Sequence, residues 1–385
     1  MVSRLQHIPG IGVNIMGDRA DAESDPQLLR LENLDTDLRP PDVAVEATRN
    51  AVAEDAANSY LPFEGHHDLR SAAAAHVSRI SGRSYDPVSE CVSVAGGLNG
   101  ILNVLLACTE PGDEVVIADP IYAGLVNRIR LVGAVPRHVP AVPTPQGWRT
   151  DPVELAAAVG PRTAVVLLMG PAMPTGSVFD QTHLDAVAGP VNEHQAWVVY
   201  DAAMERIRFD GRPPLNPAAH PELGGRVITV GSASKELRMI GWRVGWVVAP
   251  EVIMRDIALV GMTNVVCQVG IAQQAVAAAL VASDADADVA RATQVWQQRC
   301  QLILDQLADY PVVRPDGGWS LLINVGALGL TGAEASDRLF GQGRIAATGM
   351  DGWGPSGSSY VRLVFANERA ERLTDLRDRF VAAFG

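Results

Sequence analysis

An α/β fold is predicted, with a large domain whose mainly parallel sheet is covered by helices, followed by a smaller α+β domain. Short β-rich apolar runs alternate with amphipathic or alanine-rich stretches over the first three quarters of the chain, the signature of strands joined by helical crossovers. Two further strand-like runs lie beyond residue 290 among helical segments. With 385 residues, 48% of them hydrophobic and 19% charged, the chain has ample material for more than one buried core.

In chain order, the predicted strands of the large unit are CVSVA from 91, EVVIA from 114, TAVVLLM from 163, AWVVYD from 196, RVITVG from 226 and GWRVGWVV from 241. Helices are expected after Glu64, over Leu98 to Cys108, Ile121 to Leu131, Gln181 to Asn192, and along one long span from Gln268 to about Leu307. SLLINV at 320 and YVRLVFA at 360 supply strands for the second unit. The expected division is an N-terminal arm over 1–45, packed on the small domain, a large domain over 46–290 and a small domain over 291–385.

A formal net charge of −13 argues against nucleic acid or an anionic membrane as partner, leaving a small molecule. Cys91, Cys108, Cys267 and Cys300 form no CxxC pair, which fits reduced thiols rather than a disulfide frame or zinc site. The eight histidines contain no HExxH, and adjacent His66 and His67 read as the start of a helix, so no metal site is expected. MVSRLQHIPGIGVNIMGD lacks a signal-peptide pattern, and no apolar run reaches the ~20 residues of a membrane span; a cytoplasmic location is expected. Gly10, Gly12 and Gly17 follow no strand and have the wrong spacing for a dinucleotide loop.

The chain contains one lysine, Lys235, against 30 arginines. Wherever only a positive charge was needed, arginine serves; a position that keeps lysine points to a need for an amine, which its surroundings can deprotonate and which can attack a carbonyl. Drift in a GC-rich genome would also leave a lone lysine, so the neighbours decide. Lys235 sits between two strands in Ser232-Ala233-Ser234-Lys235, followed by Gly241-Trp242-Arg243-Val244-Gly245. This segment resembles the S-x-S-K…G-W-R-x-G signature of the class I/II aminotransferases, fold-type I enzymes that use pyridoxal 5′-phosphate. The resemblance implies that Lys235 forms a Schiff base with the cofactor, that Ser232 and Arg243 bind the cofactor phosphate, a dianion suited to charge-assisted hydrogen bonds, and that Ser234 is a further cofactor-binding residue.

Further family segments follow in order. Val94-Ala95-Gly96-Gly97-Leu98-Asn99 is either a tight turn or, as the resemblance implies, the phosphate cup, where glycines let backbone N–H groups and a helix N-terminus approach an anion. Tyr122, in Asp119-Pro120-Ile121-Tyr122, is either a core tyrosine or the ring stacked on the cofactor. Asp201 ends its predicted strand and is either a helix cap or the carboxylate paired with the pyridine nitrogen, which makes the ring an electron sink. Tyr60, in Tyr60-Leu61-Pro62-Phe63-Glu64-Gly65, resembles a tyrosine that reaches the phosphate of the neighbouring subunit, implying a homodimer. Arg362 resembles the arginine that clamps a substrate α-carboxylate, a strand-surface arginine being the alternative. Gly317-Gly318-Trp319 falls where the family has a glycine pair before a small-domain strand.

Departures from the family pattern converge on one cofactor atom. Where the family has Asn in N-P-T-G and Tyr in D-x-x-Y, both donors to the phenolic oxygen, this chain has Met173 and Met204. Losing two donors is expected to make the phenolate more basic and to raise the pKa of the imine, unless Tyr200, another side chain or water substitutes. Asn33 stands near the place of a pocket glycine, and Ala347–Gly354, with Trp353, replaces the usual pocket loop; both are read as substrate-binding candidates. The implied reaction is amino transfer between an amino acid and a 2-oxo acid. Rival readings are a lyase, γ-replacement or cyclising enzyme of the same fold, similar to aminocyclopropane-carboxylate synthases, and a non-catalytic ligand-sensing domain.

Overall fold

The computed structural model describes residues 3–6, 8, 10 and 12–385. Met1, Val2, His7, Pro9 and Ile11, part of the stretch read as free of a targeting signal, lie outside the described residues.

The large sheet has eight strands in the order Cys91–Val94, Gly245–Val248, Val227–Ser232, Trp197–Asp201, Thr163–Met169, Glu114–Asp119, Val135–Thr144 and Gly147–Thr150. From Val227–Ser232 to Val135–Thr144 the neighbours are parallel; Gly245–Val248 is antiparallel to both of its neighbours. The near-continuous apolar runs predicted as strands are buried on both faces. Val115, Val165, Val199 and Ile228 pack on one face beneath helices Gly97–Cys108, Ala123–Leu131 and Glu251–Asn264. Val116, Val166, Val198 and Val227 face the opposite layer, which includes helix Gln181–Glu193.

Two local readings change. Strand Val135–Thr144 was not among the predicted strands, and it carries Pro136, Pro140 and Pro143, which cannot donate to a ladder. Residues 135–140 pair only with Glu114–Asp119, and 141–144 only with Gly147–Thr150, so each stretch keeps an unpaired edge at which a proline nitrogen need not donate. The long span from Gln268 is two helices, Gly270–Val281 and Ala285–Gln306, because Ala282 takes extended angles (φ −56°, ψ 137°) and the chain turns before Asp286 and Asp288 enter the second helix.

A second, antiparallel sheet runs Val312–Val313, Ser320–Asn324, Tyr360–Val364, Thr348–Gly349. The N-terminal arm joins it: Leu29–Arg30 pairs in parallel with Ile345–Ala346, and the Val364 amide donates to the Leu31 carbonyl at 2.8 Å. Asp37 then accepts both Nη atoms of Arg299 at 2.7 and 3.0 Å. Residues 31–38 are thereby held across the carboxyl ends of the large sheet.

Candidate active site

Asp119, Met169, Asp201 and Ser232 each end a strand of the large sheet. The crevice outside those carboxyl ends is where open α/β sheets receive ligands. There a cavity of about 270 Å³ is bordered by Gly97, Leu98, Tyr122, Asp201, Lys235 and Arg362. Ser232, Ser234, Arg243, Asn33, Met173 and Met204 border it as well. Sequence reasoning had left these residues scattered over 330 positions; the fold brings them to one opening.

Lys235 lies in the connection between strands Val227–Ser232 and Gly245–Val248. Its Nζ donates to the Leu34 carbonyl at 2.8 Å and stands 4.7 Å from the centroid of the Trp319 ring. Burial lowers its pKa to about 7, Arg362 and Arg243 acting in the same direction and Asp35 and Asp201 against it. An amine so placed has a substantial unprotonated fraction near neutral pH, the form that can act as a nucleophile and proton acceptor.

The same connection carries groups able to donate to an anion. Arg243 adopts a left-handed backbone (φ 55°), and its Nη1 donates to the Ile240 carbonyl at 2.9 Å and the Ser234 hydroxyl at 3.3 Å. Opposite it, Gly96 (φ +86°) begins helix Gly97–Cys108; a Cβ at Gly96 would come within 2.5 Å of Arg243 Nη2. Glycine is required here both for the backbone angle and for the approach of the guanidinium. The first-turn amides of Gly97 and Leu98, which have no acceptor within the helix, add partial positive charge beside that guanidinium.

Asp201 is 6% exposed, and its Oδ1 accepts the Ala203 amide at 3.1 Å. Burial raises its carboxyl to about 6, the Ala203 amide and Lys235 pulling the other way. This group is poised to share a proton with a basic nitrogen. Arg362 is fully buried at the centre of the small sheet, opposite Leu322 and Thr348. Its Nη2 donates to the Glu32 carbonyl and, at 3.3 Å, to the Thr348 hydroxyl, while its guanidinium carbon lies 4.8 Å from the Trp353 ring centroid. Burial draws its pKa down to about 10, still leaving it cationic.

Two readings change, those of Trp353 and Tyr200. Trp353 does not border the cavity: it is fully buried behind Tyr122, edge-on at 5.4 Å, and beneath Arg362. Ile121 donates its amide to the Trp353 carbonyl at 2.9 Å, Asp119 accepts the Ser356 amide at 3.1 Å, and a Cβ at Gly354 would meet Asp119 Oδ1 at 2.0 Å, so this loop is drawn tight against the strand end. Tyr200 does not replace the missing donors, because its hydroxyl donates to the Gly170 carbonyl at 3.3 Å and its ring packs against Phe179 on the opposite face of the sheet. Tyr60 is 84% exposed and stands outside the cavity of its own chain.

Met173 does not stand free: its thioether lies 3.6 Å from Arg362 Nη1 and 3.8 Å from the Ser320 hydroxyl. Val13, Asn14, Leu34, Met169, Ala203 and Ile240 complete the wall and were not foreseen. Only Met169 had a legible signal, as the last residue of a parallel strand. His66 caps helix His67–Ser81, its ring accepting the Asp68 amide at 3.4 Å. Among the described residues no helix is long and apolar enough to cross a membrane.

One lysine amine at the carboxyl edge of a mainly parallel sheet, with a buried carboxyl and backbone and guanidinium donors beside it, is an arrangement suited to group-transfer chemistry. The family model for aminotransferase class I and II matches residues 29–380, and the chain belongs to that family. It is 29% identical to the arginine–pyruvate transaminase of Pseudomonas aeruginosa over 350 residues, 89% of this chain and 87% of that one. It is 30% identical to a probable aspartate/prephenate aminotransferase of Thermus aquaticus over 359 residues, covering 92% and 91%. In structure it is similar to the N-succinyldiaminopimelate aminotransferase of Mycobacterium tuberculosis, with a TM-score of 0.91, 27% identity and 99% of both chains covered. These relatives are transferases of amino groups, which does not favour the lyase and cyclase reading.

Proposed function

We propose that the chain binds pyridoxal 5′-phosphate and moves an amino group between an amino acid and a 2-oxo acid, with Lys235 as the catalytic amine. The observation that carries this reading is the convergence of one amine of lowered pKa, one buried carboxyl and two guanidinium groups on a single cavity. The donor set fits the cofactor. Gly97, Leu98, Ser232, Ser234 and Arg243 would hold its phosphate, Asp201 its ring nitrogen, and Tyr122 the face of its ring. Bound there, the cofactor supplies a carbonyl carbon for the lysine and a ring that accepts the electrons left when the substrate Cα–H bond breaks.

The remaining work falls to the chain itself. Arg362, already cationic and buried, would take the substrate α-carboxylate. Displaced from its covalent partner, the Lys235 amine would carry a proton from the substrate Cα and return it at the adjacent cofactor carbon. Asn33 and Leu34 roof the cavity from the N-terminal arm and limit access of water.

Tyr60, with exposed Phe63, Val88 and Leu259, supports a homodimer in which this face meets a second copy and Tyr60 reaches the neighbouring cofactor. We also take 46 and 291 as the working domain boundaries. Incubating the holoenzyme with single amino acids, without an acceptor, tests the activity: stoichiometric pyridoxamine phosphate and 2-oxo acid are expected. A cofactor left in the aldehyde form while a side-chain group is released would instead favour the lyase reading.

A further inference from the structure

Resting on the proposed transamination, we infer that the amino acid accepted here has an uncharged, apolar side chain, and that Val13, Leu34, Met169 and Ile240 are the walls that select it. Every charged side chain bordering the cavity already has a task. Lys235 supplies the amine, Asp201 faces the ring nitrogen, Arg243 lies in the phosphate cradle with Gly96 and Gly97, and Arg362 takes the α-carboxylate. Among the described residues that this chain itself contributes to the cavity wall, no second cation remains for a distal carboxylate and no further carboxylate remains for a guanidinium or ammonium, and the residue the proposed neighbour is taken to add, Tyr60, is uncharged.

What remains of the wall is thioether and aliphatic surface, with Asn14 and Asn33 as its uncharged polar members. Placing an unpaired charge against such a surface forfeits its hydration without replacement, whereas a leucine-, methionine- or phenylalanine-like side chain gains from the same contact. Two nearby acids need separate account. Glu32 acts electrostatically on Arg362, but its Oε1 pairs with Arg30 at 2.6 Å and it does not border the cavity. Asp35 is the other. It is felt electrostatically by Lys235, but its Oδ1 accepts the Thr36 amide at 2.7 Å and it does not border the cavity. The inference therefore departs from the relatives whose names specify arginine or aspartate: the side chains around the opening select the substrate, and overall identity near 30% does not carry them over.

Two measurements on the cofactor-loaded full chain test this. The first compares kcat/KM for leucine, methionine and phenylalanine with that for aspartate, glutamate, arginine and lysine at a fixed 2-oxo acid. A preference of ~100-fold or more for the neutral set is expected from the cost of an unpaired charge, and any charged amino acid within tenfold of the best neutral one overturns the inference. The second titrates inert carboxylates, 4-methylpentanoate and 3-phenylpropanoate against glutarate and 6-aminohexanoate, by the shift they cause in the cofactor spectrum. Tighter binding of the first pair supports the inference even if no amino acid is consumed, a result that would sink the transamination reading alone; equal or tighter binding of glutarate or 6-aminohexanoate overturns it. In Val13→Arg, glutarate should gain at least tenfold in affinity; no gain would remove Val13 from the selecting wall.

Discussion

The amine of Lys235 donates to the carbonyl of Leu34 across 201 positions of sequence, at 2.8 Å. One partner sits on the large sheet, and the other on an arm fastened to the small sheet through Leu29–Arg30 and Leu31. The Lys235 amine is thus tied to the strip of chain that roofs it, and under the proposed function attaching a cofactor carbonyl to Nζ would compete with that tie.

Because Lys235 is the only lysine, borohydride reduction of the cofactor-loaded protein should fix one cofactor equivalent per chain on the peptide containing residue 235. Peptide mass analysis checks this, and Lys235→Ala should retain none. Cofactor fixed elsewhere would remove Lys235 from its proposed role.

The pH dependence of stability follows from a folded-state lysine pKa lowered to about 7 from the ordinary 10.5. Between these values the unfolded chain binds more protons, so stability of the cofactor-free protein rises with pH across that window. Lys235→Met lacks the burden of burying the ammonium. Its advantage in Tm over the native chain should therefore be largest at pH 7 and below, and shrink towards pH 10. Asp201 acts in the lower window: its carboxyl, raised to about 6 from 3.8, binds more protons when folded, so its contribution falls as pH rises from 3.8 to 6. Asp201→Asn should flatten that fall.

Trp353 touches two residues of the cavity wall, Tyr122 and the Arg362 guanidinium, without bordering the cavity itself. Trp353→Ala should cost about 3–5 kcal/mol of stability, as for other fully buried aromatics. It should also weaken cofactor binding and raise KM for the amino acid, because both neighbours lose their backing. Trp353→Phe should restore most of the stability. Denaturant unfolding and cofactor titration separate these effects; a purely structural role would lower stability and leave KM unchanged.

Met173 and Met204 border the cavity and bring no N–H or O–H donor to it. The visible absorbance of the holoenzyme should titrate above neutral pH, because a phenolate without those donors holds the imine proton more firmly. Met204→Tyr should move the midpoint down by about one unit, the effect of one added hydrogen bond of ~1.4 kcal/mol. A native midpoint near neutrality would show that another donor has taken their place.

Tyr60, exposed in the single chain, should contribute only from a neighbour. Mixed dimers of Tyr60→Ala and Lys235→Ala chains would then pair one fully native site with one doubly damaged site. Recovery of part of the native activity on mixing is expected, and a mixture no more active than its parts would exclude the shared site.

Most of the large sheet was legible, because strands buried on both faces read as continuous apolar runs and the helices between them as amphipathic ones. The proline-bearing strand Val135–Thr144 was not, since its tolerance depends on which edges find partners. The break at Ala282 was hidden because alanine-rich sequence on both sides carries no stop signal. In the site, Lys235 stood out by composition, and Asp201, Arg243 and Arg362 by resemblance to family segments, whereas Val13, Asn14 and Ile240 carried no signal, because wall residues have no motif.

Sequence by itself determined that this chain has one amine able to act as a nucleophile and placed the groups an anionic aldehyde cofactor needs in family order. Only the tertiary structure decided that Trp353 stands behind the site, that Tyr200 turns away from it, and which uncharged surfaces face the amine. The physical reason is that a reactive group must be a particular residue wherever it lies, whereas a wall or a backing contact is set by which distant segments pack together, a property of the whole fold.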